Sequence, residues 1–511
     1  MATPNQQALV NATWQQVCFH LDGLAIGTSV ETINNLGGFS RLADAAAPIA
    51  VSDMSDALEI PHGYLNLVFR LLELQGYVDR TGDVAGGRAC VALTASGHEW
   101  LAHVGSYSGF RGRVIAAQAL LSEKDTGLAE VSSKLPDRMR CHLNGPVAAA
   151  TMTALSRSEL FANAVDLVVV DALPHPLMAD VLVGLGWASL QGATVELTEA
   201  GRLALSFAAQ YYYPVSYLPT LAAVPAILRG AETILADREE DGSEGHVDRE
   251  LDIAFSGIVF ARTCRDPLFD LVLPLFDVTE PDNQPRAIVD CGGGDGTLLC
   301  ELYLAIVERT SRGAMLEYHP LTMIGVEYNP VAERRLRARM QGTGVPGLVF
   351  SGDVGDPAAI TARLAAEGFS RDDVLHVSKS VFHNRAYAGT PAEDTGTSLG
   401  AFSVPGGGLL TAGEVEADLE ALFALWRNEM GRHGMVVIEA HIIEAALATE
   451  RLGRNVMTSL ESFHGYSHQY LVEIGLHRAA ARSAGLRVVG SHDMGAPFLG
   501  APIMSIDHYA V

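Results

Sequence analysis

Paired cysteines, positive charge and long apolar runs are all scarce in this 511-residue chain. Its six cysteines (Cys18, Cys90, Cys141, Cys264, Cys291 and Cys300) show no Cys-x-x-Cys spacing. That argues against a disulfide framework or a cysteine zinc site and suits a reducing compartment. Lys and Arg number 35 against 60 Asp and Glu, for a net charge of −25. A phosphate backbone is a poor partner for such a chain, so no nucleic acid is expected. No uninterrupted apolar run is long enough to span a membrane. The first residues, Met1-Ala-Thr-Pro-Asn-Gln-Gln, lack the basic and then apolar pattern of a signal peptide. A cytoplasmic location without a membrane partner is the expectation. Charged residues make up only 19% and hydrophobic ones 48%, which supplies a large core and excludes global disorder. The length predicts two to four domains.

Glycine is concentrated where it matters most. The stretch Arg286-Ala-Ile-Val-Asp-Cys-Gly-Gly-Gly-Asp-Gly-Thr-Leu-Leu299 opens with an apolar, partly β-branched run that reads as a buried strand closed by Asp290. Gly292, Gly293, Gly294 and Gly296 then make a turn that side chains would obstruct, and Leu298, Leu299 and Leu302 begin a helix. Strand, bare turn and helix start let a nucleotide lie against backbone. A dinucleotide site wants Gly-x-Gly-x-x-Gly, and the third glycine of that pattern is missing.

The N-terminal half is mainly helical. Leu65, Val68, Leu71, Leu72 and Leu74 have helical spacing, and Gly76 ends that helix. Tyr77-Val78 and Val91–Leu93 flank a polar, Gly-rich turn, and Thr94-Ala-Ser-Gly97 starts another helix. The order recurs from Leu177, and Leu93-Thr-Ala-Ser-Gly97 matches Leu197-Thr-Glu-Ala-Gly201 position by position. Two winged-helix-like units are therefore expected. Few Lys or Arg stand on their recognition surface, which favours a dimerisation or substrate-lid role over DNA binding. Gln210-Tyr-Tyr-Tyr-Pro-Val-Ser-Tyr-Leu-Pro219 is an aromatic turn, open to packing or to ligand contact. Asp237–Gly245 reads as a solvated, charged loop near a domain boundary. The expected division is 1–110 for the first unit, 111–240 for the second with lid helices, and 241–511 for the sheet.

After the glycine turn, strands alternate with helices, as in a parallel sheet covered on both faces. The strands are Met323–Glu327, Leu348–Phe350, Val374–Val377 and Met435–Ile438. Leu486–Gly490 and Met504–Tyr509 have no helix between them and read as an antiparallel closing pair. Candidate chemistry sits at the strand ends. Glu327, ending the second strand, has the carboxylate to accept two ribose hydroxyls; a capping role is the alternative. Asp353 follows the third strand, where it can face an adenine amino group or cap the next helix. His383 lies past the fourth strand and suits proton transfer or metal binding. Glu439 and His441 end the fifth strand, and their alternation puts both on one side, toward the same crevice. His464, His468 and Gln469 stand in a polar cluster placed to close the site from above. Histidine, carboxylate and amide oxygen together suit a non-haem iron or a similar divalent ion.

These segments carry a resemblance. Val289-Asp-Cys-Gly-Gly-Gly-Asp-Gly296, Gly352-Asp353 and Lys379-Ser-Val-Phe-His-Asn384 resemble the cofactor and His-Asp-Trp segments of small-molecule O-methyltransferases, which are class I enzymes using S-adenosylmethionine. The Asp-Trp that usually follows the histidine is Asn384-Arg385 here. A closer likeness is to C-methyltransferase domains of polyketide synthases. It rests on Tyr213–Pro219, His246–Leu251, Phe382–Arg385, Ile438–His441 and Tyr466–Glu473. The resemblance implies a Rossmann-like class I methyltransferase sheet with an antiparallel closing hairpin. It implies S-adenosylmethionine bound by Asp290, Gly292, Gly294, Gly296, Glu327 and Asp353. It also implies His383 as general base, with Glu439 and His441 beside it, and His383 with Gln469 as ligands of a divalent metal such as iron or manganese. That group tends to carry an acidic residue before the histidine, where this chain has Phe382.

The expected activity is methylation of a nucleophilic carbon in an acyl or keto compound of secondary metabolism, free or carrier-bound, by a free-standing enzyme. Methylation of a hydroxyl or carboxyl with His383 as base is the alternative, and a ligand-sensing regulator built on the winged units is a third. The N-terminal region is a candidate homodimer interface.

Overall fold

The computed structural model describes residues 3–127, 131–158, 160–161, 167–231, 233–392, 396–495 and 499–511. The apolar run at Ala287 is buried along its whole length, which only a central strand with both faces covered allows. It belongs to a seven-stranded sheet. We number the strands β1 (Ala287–Cys291), β2 (Thr322–Glu327), β3 (Gly347–Ser351), β4 (Val374–Lys379), β5 (Met435–Ala440), β6 (Arg487–Gly495) and β7 (Pro502–Ala510). Their order is β6-β7-β5-β4-β1-β2-β3. β1 to β5 run parallel, and β7 lies antiparallel to both β5 and β6. β6 alternates between exposed and half-buried residues, as an edge strand does. Each sheet face has its own apolar core. Trp426 and Phe423 anchor one, and Phe260, Leu299 and Leu336 the other. The strand order reverses between β1 and β4, which opens a crevice at their C-terminal ends.

Both winged units form, and they repeat each other in detail. In the first, helix His62–Leu74 leads to strands Val78–Asp83 and Arg88–Leu93 and then helix Ala95–Leu101. In the second, helix Leu177–Gly184 leads to strands Ala188–Gln191 and Thr194–Leu197 and then helix Glu199–Ser206. Thr94 and Thr198 cap the two final helices, each accepting from the glycine amide three residues on. Those glycines are required. A Cβ on Gly97 would strike the Tyr77 carbonyl, and one on Gly201 the Trp187 carbonyl. Two long helices, Pro4–Asn35 and Asp137–Ser158, cross at Gly23 and Gly145, where either Cβ would meet the other helix's backbone. Each helix also reaches the opposite unit. His20 bonds the Tyr211 hydroxyl at 2.8 Å, and His142 bonds that of Tyr107 at 2.6 Å.

One apolar core runs through both units and takes in Met457, Phe463 and Tyr466 from the far end of the sequence. The helix Met457–Tyr466 is held there by polar bonds as well. Arg70 donates to both Glu461 oxygens at 2.8 and 2.9 Å, and Ser29 meets the Tyr466 hydroxyl at 2.7 Å. This helix falls within 241–511, yet it packs with the N-terminal units. Among the described residues, no helix is long and apolar enough to cross a membrane.

Candidate functional site

A cavity of about 570 Å³ opens where the C-terminal ends of β1, β2, β4 and β5 meet the N-terminal units. At one end lies the glycine turn. Gly292, Gly294 and Gly296 have φ of +82°, +55° and +79°, which side chains adopt only at a cost. Gly292 and Gly294 line the cavity. A Cβ on Gly292 would collide with Val381, whereas one on Gly294 would project into open space. Gly296 begins the helix Thr297–Arg309 and packs on Leu336 instead. Asp290 sits beneath the turn and does not reach the cavity. Its Oδ1 has no partner among the described residues. Burial, then the nearby Glu327 charge, push its carboxyl up to about 7, with Lys379 opposing.

Glu327 takes three backbone amides: Gly294 at 2.9 Å on Oε2, and Tyr328 at 3.0 Å and Asn329 at 3.1 Å on Oε1. A carboxylate has about four lone-pair positions, so one remains for a ligand. Burial raises this carboxyl, and the amides hold it back. Asp353 also lines the cavity and closes a tight turn by accepting from Gly355 at 2.8 Å. The helix cap belongs to Asp356, which accepts from Ala359.

The other end centres on His383. β4 ends at Lys379, whose Nζ donates to Ser256 at 2.7 Å. Ser380 then adopts φ +59° and turns the chain over the ends of β4 and β5. Glu439, on β5, accepts the Phe382 amide at 2.9 Å on Oε1 and pairs through Oε2 with His383 Nδ1. Burial alone would raise the Glu439 carboxyl. The His383 ring, by charge and hydrogen bond, and the Phe382 amide bring it down to about 2. Glu439 is thus ionised and stands behind His383 rather than on the cavity wall. His464 packs edge-to-face on His383 with ring centroids 4.9 Å apart. Burial lowers His464 to about 3, so it is neutral. Its Nδ1 lies 2.6 Å from the Leu460 carbonyl and 2.8 Å from the Tyr213 hydroxyl.

Arg385 explains how the loop tolerates its Asn-Arg in place of Asp-Trp. Its guanidinium is buried and each of its three nitrogens donates, to Asp418 at 2.7 Å, the Val415 carbonyl at 2.9 Å and the Phe382 carbonyl at 2.9 Å. It therefore fixes the residue next to His383.

Residues 244–497 match the family model described as the AprA MT2-like domain. No curated protein matches the chain. Among solved structures, an O-methyltransferase family 2 protein from Planctomyces limnophilus, in complex with apigenin, is 11% identical with a TM-score of 0.40, covering 98% of this chain and 96% of that one. Human N-acetylserotonin methyltransferase in complex with SAM is 15% identical with a TM-score of 0.38, over 74% and 99% of the two chains. The CurJ carbon methyltransferase is 10% identical with a TM-score of 0.34, over 88% and 99%. The chain is a class I S-adenosylmethionine-dependent methyltransferase.

The methyltransferase does not assemble the expected metal centre. The His383 ring commits Nδ1 to Glu439, leaving a single nitrogen. Gln469 turns its amide N–H groups to Tyr217 at 3.3 Å and Ser467 at 2.8 Å, so it could offer only its Oε1. Among the described residues, no three His, Cys, Asp or Glu converge as a metal-holding group. These residues do not fit a divalent ion, and no step is derived through one. His441 is also elsewhere. β5 ends at Ala440, and His441 is buried with Nδ1 against the Val472 carbonyl and Nε2 against Ser505. Both nitrogens tie β5 to its neighbours, outside the cavity.

Several lining residues of the methyltransferase carry no role in the sequence reading. Arg249 and Asn329 meet at the Glu244 carboxylate, at 2.6 and 2.9 Å, beside the Glu327 end of the cavity. His246 lines the cavity with Nδ1 unpartnered among the described residues, and burial lowers it to about 4. Tyr213 and Tyr217 of the aromatic turn enter from the second winged unit and build a wall with Phe255 and Phe463. The sequence left this turn open to packing or to ligand contact, and its tyrosines do both: Tyr211 is buried in the core, while Tyr213 and Tyr217 line the cavity.

Proposed function

We propose that the methyltransferase places the methyl group on a carbon α to a carbonyl, in a free or carrier-bound keto or acyl compound of secondary metabolism. The observation that carries this reading is the buried His383–Glu439 pair, opening into the cavity that also holds the glycine turn. The likeness of Tyr213–Pro219 and Tyr466–Glu473 to segments of polyketide C-methyltransferases supports it.

The residues present fit the donor. The open face of Gly294 lets an adenosyl group approach backbone, the free lone pair of Glu327 suits a ribose hydroxyl, and Asp353 suits an adenine amino group. When bound, S-adenosylmethionine supplies a methyl group already activated by its sulfonium. The chain then supplies alignment and a base. Because His383 Nδ1–H donates to Glu439, the lone pair sits on Nε2, where it takes the proton from the acceptor. The Glu439 charge stabilises the imidazolium that results. The aromatic wall keeps water from competing.

Oxygen methylation is the second reading, favoured by the same free lone pair on His383, which would take a hydroxyl proton equally well. Purified protein is incubated with methyl-13C S-adenosylmethionine and, in parallel, a 3-oxoacyl thioester and a phenol. The carbon reading expects a carbon-bound 13C methyl signal in the thioester product. Label found only in an O-methyl group overturns it.

A further inference from the structure

We propose that Tyr217 is a catalytic residue, the hydroxyl donor that holds the acceptor's carbonyl oxygen while it carries enolate charge. This rests on the carbon-methylation reading above. Tyr217 comes from the second winged unit, far in sequence from the sheet. Its ring is almost wholly buried yet lines the cavity. It stacks on Phe463 with centroids 5.5 Å apart at 17° and meets Tyr213 edge-on at 5.1 Å. These contacts hold the ring on two sides.

Hydrogen accounting decides what the hydroxyl does. The Tyr217 oxygen accepts from Gln469 Nε2 at 3.3 Å. Tyr213 stands beside it and shares a side-chain hydrogen bond with it, one of the smaller causes that, after burial, raise the Tyr213 hydroxyl. A phenol oxygen that accepts still carries its own hydrogen. Its bonded neighbours are Gln469, which donates, and the neutral Tyr213 hydroxyl, so a charged oxygen in the cavity is the stronger acceptor for that hydrogen. Burial raises the Tyr217 hydroxyl, which keeps it protonated and a donor.

The hydroxyl is also tied to the base. Gln469 donates its backbone N–H to the His464 carbonyl at 2.8 Å, and Tyr470 donates to the His383 carbonyl at 2.7 Å. His464 packs on His383. Gln469 thus acts as a positioning residue for Tyr217, in place of the metal ligand its sequence context implies. The step balances without a metal. The α C–H bond breaks and its proton goes to His383 Nε2. The bonding pair forms the C=C bond, and the carbonyl pair moves onto oxygen, where the Tyr217 O–H donates to it. The enolate carbon then bonds the methyl group as the S–CH3 bond breaks, leaving its pair on sulfur. The imidazolium returns its proton to solvent.

The test uses full-length protein loaded with S-adenosylhomocysteine and compares 4-nitrophenolate with 4-nitrotoluene, which has the same shape without the oxyanion. Wild type prefers the phenolate. Tyr217→Phe weakens phenolate binding roughly tenfold to a hundredfold, as loss of one hydrogen bond to a charge does, and leaves nitrotoluene and S-adenosylhomocysteine binding unchanged. Gln469→Leu, which frees the phenol without removing it, gives a smaller selective loss. Equal loss for both probes, no loss in Tyr217→Phe, or a wild type without preference for the phenolate overturns the proposal. Because binding is read without methyl transfer, that failure leaves the carbon-methylation reading intact. A label found only on oxygen overturns the carbon-methylation reading and, with it, the enolate role of Tyr217, whatever the binding probes show.

Discussion

Glu439 and His383 divide one task between a buried charge and a ring that meets the cavity. The carboxylate stays ionised down to about pH 2, so it does not titrate under any working condition. His383→Asn removes the base and keeps a side chain of similar reach. It is expected to lower kcat by about 10²–10⁴ with little change in cofactor affinity, as loss of a general base does. Glu439→Gln keeps an acceptor for Nδ1 but loses the charge, and the loss of kcat is expected to be smaller. Rates at saturating donor, paired with calorimetric cofactor affinity, check both. A His383→Asn enzyme of unchanged kcat would falsify the assignment. The sequence places His383 correctly past β4, because strand ends are legible from apolar runs. It does not tell Glu439 from His441. Strand alternation puts both on one side only while the strand lasts, and β5 ends between them at Ala440. The rotation of the chain beyond that point depends on Val472 and Ser505, which no local pattern announces.

At the scale of elements, the glycine turn separates two demands that the sequence merges into one motif. Gly292 needs its positive φ and also lacks room for a Cβ, because Val381 stands in the way. Gly294 has the positive φ with open space beside it. Gly294→Ala therefore costs the fold only about 1 kcal/mol of backbone strain, while its methyl group enters the space a donor would fill. Weak cofactor binding with a nearly unchanged Tm is expected. Gly292→Ala adds a collision, so its Tm falls as well. Thermal melts with and without S-adenosylhomocysteine distinguish the two, and equal Tm losses would sink the distinction. The winged units were readable for a similar reason. Their Thr caps and the glycines after them are local requirements of one strand–helix corner. The helix Met457–Tyr466 was not, since its partners Arg70 and Ser29 lie about four hundred positions away. The loop at Asp237–Gly245 is largely exposed, as its charge suggests, but Glu244 turns inward to meet Arg249 and Asn329.

The whole molecule buries an unusual number of neutral imidazoles, and this sets its response to acid. Burial lowers His20, His464 and His477 from the ordinary 6.5 to about 3, and His246, His376, His441 and His468 to about 4. In the unfolded chain each regains its ordinary value. Between about 6.5 and about 4 the unfolded state therefore binds more protons than the folded one, and stability rises with pH across that window. Buried acids act the other way, Asp22, Asp290, Glu327, Glu461 and Asp507 among them. Burial raises Asp22 to about 6 and Asp290 to about 7, so they bind protons in the folded state and lend it stability that fades as pH rises through those values. The histidines outnumber them, and the net slope is positive. Tm is expected to fall steadily as the buffer is taken from about pH 7 to about pH 5. His376 isolates one contribution. It lies outside the catalytic cavity, edge-on to Trp426, and neither ring nitrogen has a partner among the described residues. His376→Phe removes a titrating group without breaking a hydrogen bond. It should leave methyl transfer unchanged, match or exceed the wild-type Tm, and flatten the acid slope by about one proton. A variant with the full wild-type slope would show that His376 is protonated in the folded protein, and that the buried ring has found water or an anion to hold.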